Sequence, residues 1–160
     1  MYRIGFGFDA HRFSEGRHLV LGGVEIPFEH GLSGHSDADV LTHAICDALL
    51  GALGEGDIGT QFPDTDPRYK GASSLLFLSE ILKLVSREGY EIENIDSVIV
   101  CEKPKIAPHV PAIKSTLSQI TGLSGKALGL KATTTDRMGF TGRGEGVASY
   151  AVALIRKRSA

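Results

Sequence analysis

Near the start of the chain, Ile4, Phe6 and Phe8 alternate with Gly5, Gly7 and Asp9. That period of two predicts a strand, because successive side chains of a strand point to opposite faces. A hairpin is predicted next, Leu19-Val20-Leu21 against Val24-Glu25-Ile26, with Gly22-Gly23 supplying the positive φ of a two-residue turn. The period then becomes helical. A first helix is predicted over about 37–53, with Leu41, Ala44 or Ile45, Ala48 and Ala52 on its apolar face. Ser36 and Asp39 suit a capping-box-like start and Gly54 suits the stop. His43 falls on the polar side of that helix with Asp39 and Asp47. A second helix, 73–88, carries the stripe Leu75, Leu78, Leu82 and Val85 ahead of Gly89. A third, 108–121, carries Val110, Ile113, Leu117 and Ile120 and ends at Gly122. Three more strands are predicted at 92–101, 127–134 and 147–155.

These elements predict one α+β domain over residues 1–160: a small, mainly antiparallel, four-stranded, ferredoxin-like sheet with helices on one face. Val98-Ile99-Val100 and the run Ala151 to Ile155 are apolar at successive positions, hence on both faces. Helices cover only one of those faces, so a second subunit is expected over the other, in a homo-oligomer whose sheets face inward.

Charge narrows the partners. The chain has 17 Lys and Arg against 19 Asp and Glu, a net −2, which gives no electrostatic footprint for nucleic acid or an anionic membrane. The strand pattern begins almost at Met1, with no secretory-signal series and no apolar run long enough to span a bilayer, so a cytoplasmic protein is expected. Cys46 and Cys101 lie in apolar segments without a CxxC pattern and read as free, buried thiols.

Asp9 and His11 are two apart at the end of the first strand, so they share a face, the one bearing Gly5 and Gly7. With His43 they would give two imidazoles and a carboxylate, a donor set that suits Zn²⁺ and leaves one coordination position open. Taken alone, the same residues also fit a surface Asp–His pair and a helix-surface histidine hydrogen-bonded to Asp39 or Asp47.

Five polar segments, three of them bearing glycine, add to this. Gly34-His35-Ser36-Asp37 could hold an anion at a helix start or simply cap it. Gly56-Asp57-Ile58-Gly59 leads into Phe62-Pro63-Asp64-Thr65-Asp66-Pro67, a loop with little to bury. Lys103-Pro104-Lys105 and Lys131-Ala132-Thr133-Thr134-Thr135-Asp136 follow or end predicted strands and offer cations, hydroxyls and a hard oxygen. The last, from Gly139 to Gly146, presents Arg143, whose fork can bind phosphate through two bonds. Together they read as a phosphate and metal site. No GxxxxGK[ST] loop, GxSxG elbow or Cys–His pairing indicates a covalent nucleophile.

In family order, Gly7-Phe8-Asp9-Ala10-His11, His35-Ser36-Asp37-Ala38-Asp39, Gly56 to Gly59, Phe62 to Asp66, Pro104-Lys105, Lys131 to Thr135 and Gly139 to Gly146 resemble the signature segments of the 2-C-methyl-D-erythritol 2,4-cyclodiphosphate synthase family. The resemblance implies a metal-dependent phosphorus–oxygen lyase of the non-mevalonate isoprenoid pathway. Such an enzyme turns 4-diphosphocytidyl-2-C-methyl-D-erythritol 2-phosphate into the cyclic 2,4-diphosphate and CMP. It implies Zn²⁺ on Asp9, His11 and His43, a second divalent ion, Mg²⁺ or Mn²⁺, on Asp136, and transition-state stabilisation at the catalytic positions His35 and Thr134. It further implies substrate contacts from Asp9, His11, His35 and Ser36, from Asp57, Ile58 and Gly59, and from the loop Phe62, Pro63, Asp64, Thr65 and Asp66. The cytidine side would be lined by Cys101, Glu102, Lys103, Pro104, Lys105, Ile106 and Ala107 with Thr133, Thr134, Thr135 and Asp136, and Phe140 and Arg143 match further binding positions. The family is a homotrimer with active sites between subunits; Arg143 and Glu145 match an isoprenoid-diphosphate site in its central cavity.

Two departures from the family pattern stand out. Asp136 replaces a Glu, shortening the reach to the second metal by one methylene, and Ala38 replaces a common Gly, which should be benign inside a helix start. Two other readings compete with the synthase: a metal-dependent phosphohydrolase with water as nucleophile, and a non-enzymatic trimer that binds isoprenoid diphosphates.

Overall fold

Two glycines on one strand decide how this fold packs. The computed structural model describes residues 1–159, in which β1 (Tyr2–Ser14) is followed by β2 (Leu19–Leu21), β3 (Val24–Ile26), β4 (Gly31–Leu32) and the helix α1 (Val40–Leu53). A one-turn helix α2 (Ile58–Gln61), the long helix α3 (Ser74–Arg87), β5 (Tyr90–Val100), α4 (Val110–Thr121), β6 (Leu128–Thr133), the short α5 (Gly139–Gly142) and β7 (Gly146–Lys157) complete the chain. On β1, Gly5 and Gly7 face α1 so closely that an added Cβ would lie 1.8 Å from the Ala48 carbonyl oxygen and 1.9 Å from that of Ala44. Strand and helix therefore meet backbone to backbone.

The α+β class agrees with the sequence reading, and three details correct it. The sheet has five strands in the order β4-β1-β7-β5-β6, because Gly31–Leu32 pairs with Phe13 and Ser14 at the edge. It is mixed: α4 carries the chain back over the sheet, so β5 and β6 run parallel while the other pairs are antiparallel. The main elements run β-α-α-β-α-β-β, with β7 inserted between β1 and β5, in place of the ferredoxin-like β-α-β-β-α-β. The hairpin of β2 and β3 forms as predicted, with Gly22 and Gly23 at φ 58° and 75°.

Helix α1 starts at Val40 with Asp39 as its N-cap. Ala38, just before it, is at φ 56°, outside the helix. Its alanine is thus not benign as expected: the left-handed conformation costs an L-residue roughly 1–2 kcal/mol that glycine avoids. Gly54 closes the helix in the left-handed conformation, as predicted. The expected polar face of α1 is absent, since His43 is buried with Asp39 and most of the helix. The sheet lies on one side of α1, and α3 and the β2–β3 hairpin lie over the other. On α3 the buried stripe is Phe77, Leu78, Ile81 and Val85, turned slightly from the predicted one, with Leu75 and Leu82 at its margins. On α4, Ile113 and Leu117 are buried and Gly122 terminates the helix at φ 72°.

Ile95, Ile99, Ala151, Ala153 and Ile155 face the helices and are buried. The opposite face is open in the single chain: Ile4 is 70% exposed and Phe6 63%, beside Phe8, Tyr150 and Val152. The Phe8 and Tyr150 rings meet on that face at 4.9 Å between centroids, tilted by 43°. Cys46 and Cys101 are free and buried, and burial raises both thiols, Cys101 to about 11. No helix among the described residues is long and apolar enough to cross a membrane.

Candidate active site

The close seat of α1 on β1 brings three donors together. The β1 pleat turns Asp9 and His11 to the same side as Gly5 and Gly7, and His43, on the second turn of α1, drops beside them. Asp9 Oδ2 lies 2.9 Å from His11 Nε2 and 3.1 Å from His43 Nδ1, and the two histidine nitrogens are 3.3 Å apart. Among the described residues this is the one cluster of at least three His, Cys, Asp or Glu side chains arranged to hold an ion. Zn²⁺ with bonds of about 2.0–2.1 Å in a tetrahedron needs donor separations of roughly 3.3 Å, so the three atoms need to part by only a few tenths of an ångström. The residues fit the metal.

Electrostatics agree. Burial pushes the Asp9 carboxyl up, yet its hydrogen bonds to His11 and His43 outweigh that and hold it well below the usual carboxylate range. Burial depresses His43, but the hydrogen bond to Asp9 and the charges of Asp9, Asp39 and Asp37 raise it overall. The pocket is thus a concentration of negative charge that favours a bound cation.

The cluster opens into a cavity of about 600 Å³ lined by His11, His35, Ser36, His43, Ile58, Gly59, Phe62, Pro63, Asp64 and Thr65, all singled out in the sequence. Gly34, from the same predicted segment as His35, also lines it, as do Tyr69 and Phe77, which were missed. The Phe62 and Phe77 rings stack at 4.8 Å and Tyr69 meets both edge-on. An aromatic on the inner stripe of α3 reads as core in any sequence; only the loop folding back onto it makes Phe77 a pocket wall.

The surrounding turns are fixed by side chains. Arg17 donates to the carbonyls of Gly34 and Ser36 at 2.6 and 2.5 Å, clamping the loop that carries His35. His35 Nε2 lies 3.3 Å from the Asp66 carbonyl oxygen. Asp66 turns its carboxylate to the Arg68 guanidinium. Asp57 caps α2 by accepting from the Thr60 amide and hydroxyl, and Asp47, one turn beyond His43, accepts the Ile58 N–H at 2.8 Å. Neither Asp47 nor Arg17 carries a sequence signal that ties it to these loops.

The other candidate residues form a second cluster. Cys101, Glu102, Lys103, Pro104, Lys105, Ile106 and Ala107 follow β5, and Thr133, Thr134, Thr135 and Asp136 end or follow β6; the Cys101 N–H donates to the Thr133 carbonyl at 3.0 Å. Asp136 and Arg137 both have positive φ, 52° and 66°. Glu102 accepts the N–H groups of Thr135 and Arg137 on either side, holding this turn. Phe140 lines a smaller cavity of about 220 Å³ with Arg12 and Glu145, and Arg143 pairs with Glu145 at 2.6 Å on the surface. Both clusters lie at the same end of the sheet, since His11 pairs with Val147 and Val100 with Ala148. β5 stands two strands from β1 and β6 three, which sets the two parts of the second cluster roughly 10 and 14 Å across the sheet from β1 at about 4.8 Å per strand. Within one chain, His35 lines the larger cavity and Thr134 does not.

Residues 2–156 match the YgbB family model. The chain is 55% identical over 157 residues to 2-C-methyl-D-erythritol 2,4-cyclodiphosphate synthase of Halalkalibacterium halodurans, covering 98% of this chain and all of that one. It is 56% identical over 154 residues to the synthase of the same name from Syntrophobacter fumaroxidans, covering 96% and 97% of the two chains. A solved structure of 2C-methyl-D-erythritol-2,4-cyclodiphosphate synthase in a CDP-bound form superposes with a TM-score of 0.89 at 41% identity, over 96% of this chain and all of that one. The bifunctional IspDF of Campylobacter jejuni superposes with a TM-score of 0.95 at 40% identity over 99% of this chain, which spans 43% of that longer protein. The chain belongs to the YgbB family, whose curated relatives at this level of identity are 2-C-methyl-D-erythritol 2,4-cyclodiphosphate synthases.

Proposed function

We propose that this protein converts 4-diphosphocytidyl-2-C-methyl-D-erythritol 2-phosphate into 2-C-methyl-D-erythritol 2,4-cyclodiphosphate and CMP. The observation that carries the reading is the Asp9–His11–His43 cluster opening onto the loop cavity, in a chain aligned end to end with relatives of that name. In this reaction an oxygen of the substrate's own 2-phosphate forms a bond to the β-phosphorus, and the bond from that phosphorus to the oxygen of the departing CMP breaks. No water is consumed, so the enzyme is a phosphorus–oxygen lyase.

The 2-phosphate is already ionised at neutral pH, so the protein needs no general base; it needs to fold the substrate and neutralise charge. Phe62 to Asp66, with Phe77 and Tyr69 behind them, enclose the methylerythritol side, and the Asp57-Ile58-Gly59 turn supplies polar contacts to its hydroxyls. His35, held by its clamped loop, faces the phosphates. Asp9, His11 and His43 would hold Zn²⁺, which as a Lewis acid draws charge from the phosphoryl oxygens. Asp136 would supply one carboxylate to Mg²⁺ or Mn²⁺, an ion that takes its other ligands from phosphate and water. Its αL turn, held by Glu102, points a shorter side chain than the family's Glu.

The cytidine side would be bound by residues 101–107 and 133–135. Because these lie two and three strands away from the zinc cluster of their own chain, the complete site is assembled between neighbours in a homotrimer. The apolar open sheet face formed by Ile4, Phe6, Phe8, Tyr150 and Val152 is the surface such a trimer would cover. The cavity so enclosed, with Arg143 and Glu145 at its end, would accept an isoprenoid diphosphate. The enzyme would act in the cytoplasm on a small diffusible substrate.

A phosphorus NMR time course tests the reaction. Supplied with the cytidylyl substrate, Zn²⁺ and Mg²⁺, the protein should produce the cyclic diphosphate and CMP in equal amounts, and a chelated control should not. A linear phosphate product would overturn the proposal in favour of a hydrolase, and no turnover by folded, zinc-loaded protein would leave only a binding role.

A further inference from the structure

Imidazole can present either of two nitrogens to a metal, and the surroundings of the other one choose between them. In His43, Nδ1 faces Asp9 and His11, while Nε2 lies 2.8 Å from Ser74 Oγ and 3.2 Å from Ser36 Oγ. We infer that Asp37 and Ser74 are positioning residues for the metal centre, forming a carboxylate–hydroxyl relay that fixes His43 in the tautomer whose Nδ1 is free to bind the ion. The inference rests on the zinc reading above.

The direction of the relay follows from donor and acceptor bookkeeping. The Ser74 hydroxyl donates to Asp37 Oδ1 in a very short contact. The Asp37 carboxylate is itself oriented by backbone N–H groups, that of Ser74 to Oδ2 at 3.0 Å and that of Asp39 to Oδ1 at 3.1 Å. An ionised carboxylate has no proton to return, so the Ser74 hydroxyl proton is committed to Asp37 and a lone pair of Oγ faces His43. At 2.8 Å from that lone pair Nε2 is the protonated nitrogen, with Ser36 Oγ at 3.2 Å as a second acceptor, and Nδ1 is the bare one. Without this arrangement the neutral imidazole would favour the opposite tautomer, because Asp9 Oδ2 stands ready to accept a proton from Nδ1. Ser74 and His43 are both buried, so water does not substitute.

The relay also joins elements. Asp37 lies in the loop carrying His35, His43 is on α1, and Ser74 is the first residue of α3, the helix that supplies Phe77 to the cavity wall.

The test is Zn²⁺ affinity by chelator competition for the wild type, Ser74→Ala, Asp37→Asn and Ser97→Ala. Ser97 is a buried serine whose hydroxyl bonds the Gly129 carbonyl, so its variant controls for loss of any buried hydroxyl. Loss of a supporting hydrogen bond behind a metal-bound histidine typically weakens affinity by about 10–100-fold. That loss is expected for Ser74→Ala, a smaller one for Asp37→Asn, and none for Ser97→Ala. In parallel, nitrogen-15 NMR of the zinc-loaded wild type should find the metal on His43 Nδ1 and a protected proton on Nε2, a readout independent of how the variants fold. Unchanged affinity in Ser74→Ala, or zinc bound through Nε2, would overturn the relay while leaving the synthase reading intact. A wild type that binds no zinc would overturn the metal centre and the relay together.

Discussion

Gly7 and Ala44 touch backbone to backbone: a Cβ on Gly7 would sit 1.9 Å from the Ala44 carbonyl oxygen and 2.7 Å from the Ala48 nitrogen. Ala44 is the neighbour of His43 in sequence, and Gly7 is two residues before Asp9. The missing side chain therefore sets the distance between strand and helix at the point where the metal donors converge. Gly7→Ala should destabilise the protein by about 3 kcal/mol or more, at or above the upper end for overpacking, because a helix backbone cannot yield as a side chain does. Urea unfolding would measure this, and the variant's zinc content should fall with it as His43 is lifted away.

His43→Ala removes one of three donors and leaves Asp9 and His11 as a weak pair. Zinc content should drop to a small fraction of the wild type's. Turnover should fall by roughly 10²–10³-fold, the equivalent of a few kcal/mol of transition-state charge stabilisation. Dialysis of the wild type against a chelator should reproduce the loss, and added Zn²⁺ should restore the wild type but not the variant.

The two residue clusters predict complementation. His43→Ala and Thr134→Ala should each be nearly inactive alone. Mixed by refolding or co-expression, they should regain part of the activity, because some assembled sites would take their zinc side and their cytidine side from intact subunits. No recovery in a mixture shown to exchange subunits would place each site within a single chain. Phe6→Arg on the open sheet face should lower the molar mass seen by light scattering and abolish turnover together.

Asp47 gives a signed pH dependence. Burial raises its pKa, with the charges of Asp57 and Asp9 adding to the rise and the Ile58 N–H opposing it. A carboxyl whose folded pKa exceeds the unfolded value of about 3.9 holds more protons when folded, so its contribution to stability falls as pH rises through the window between the two values. Asp47→Asn keeps an acceptor for Ile58 but cannot titrate. Its stability relative to the wild type should therefore improve as pH rises through that window and level off above it, as read from unfolding curves at a series of pH values.

Sequence alone determined what depends on short-range pattern. The period of two puts Asp9 and His11 on the face of Gly5 and Gly7 whatever the rest of the chain does, and the glycines at 22–23, 54 and 122 end or turn their elements because few other residues adopt that φ cheaply. The motif segments also carried the family, since their order and residue types survive without coordinates. Tertiary structure decided everything that depends on what covers what. A helix periodicity cannot say that α1 is covered on both sides, so His43 looked like a surface residue until α3 lay over it. Pairing of the two-residue β4, the parallel β5–β6 step and the strand order are long-range choices with no local signal. The Asp37–Ser74–His43 relay joins residues 31 and 37 positions apart, and only a closed core, where a buried polar group must find a partner, brings them within bonding distance.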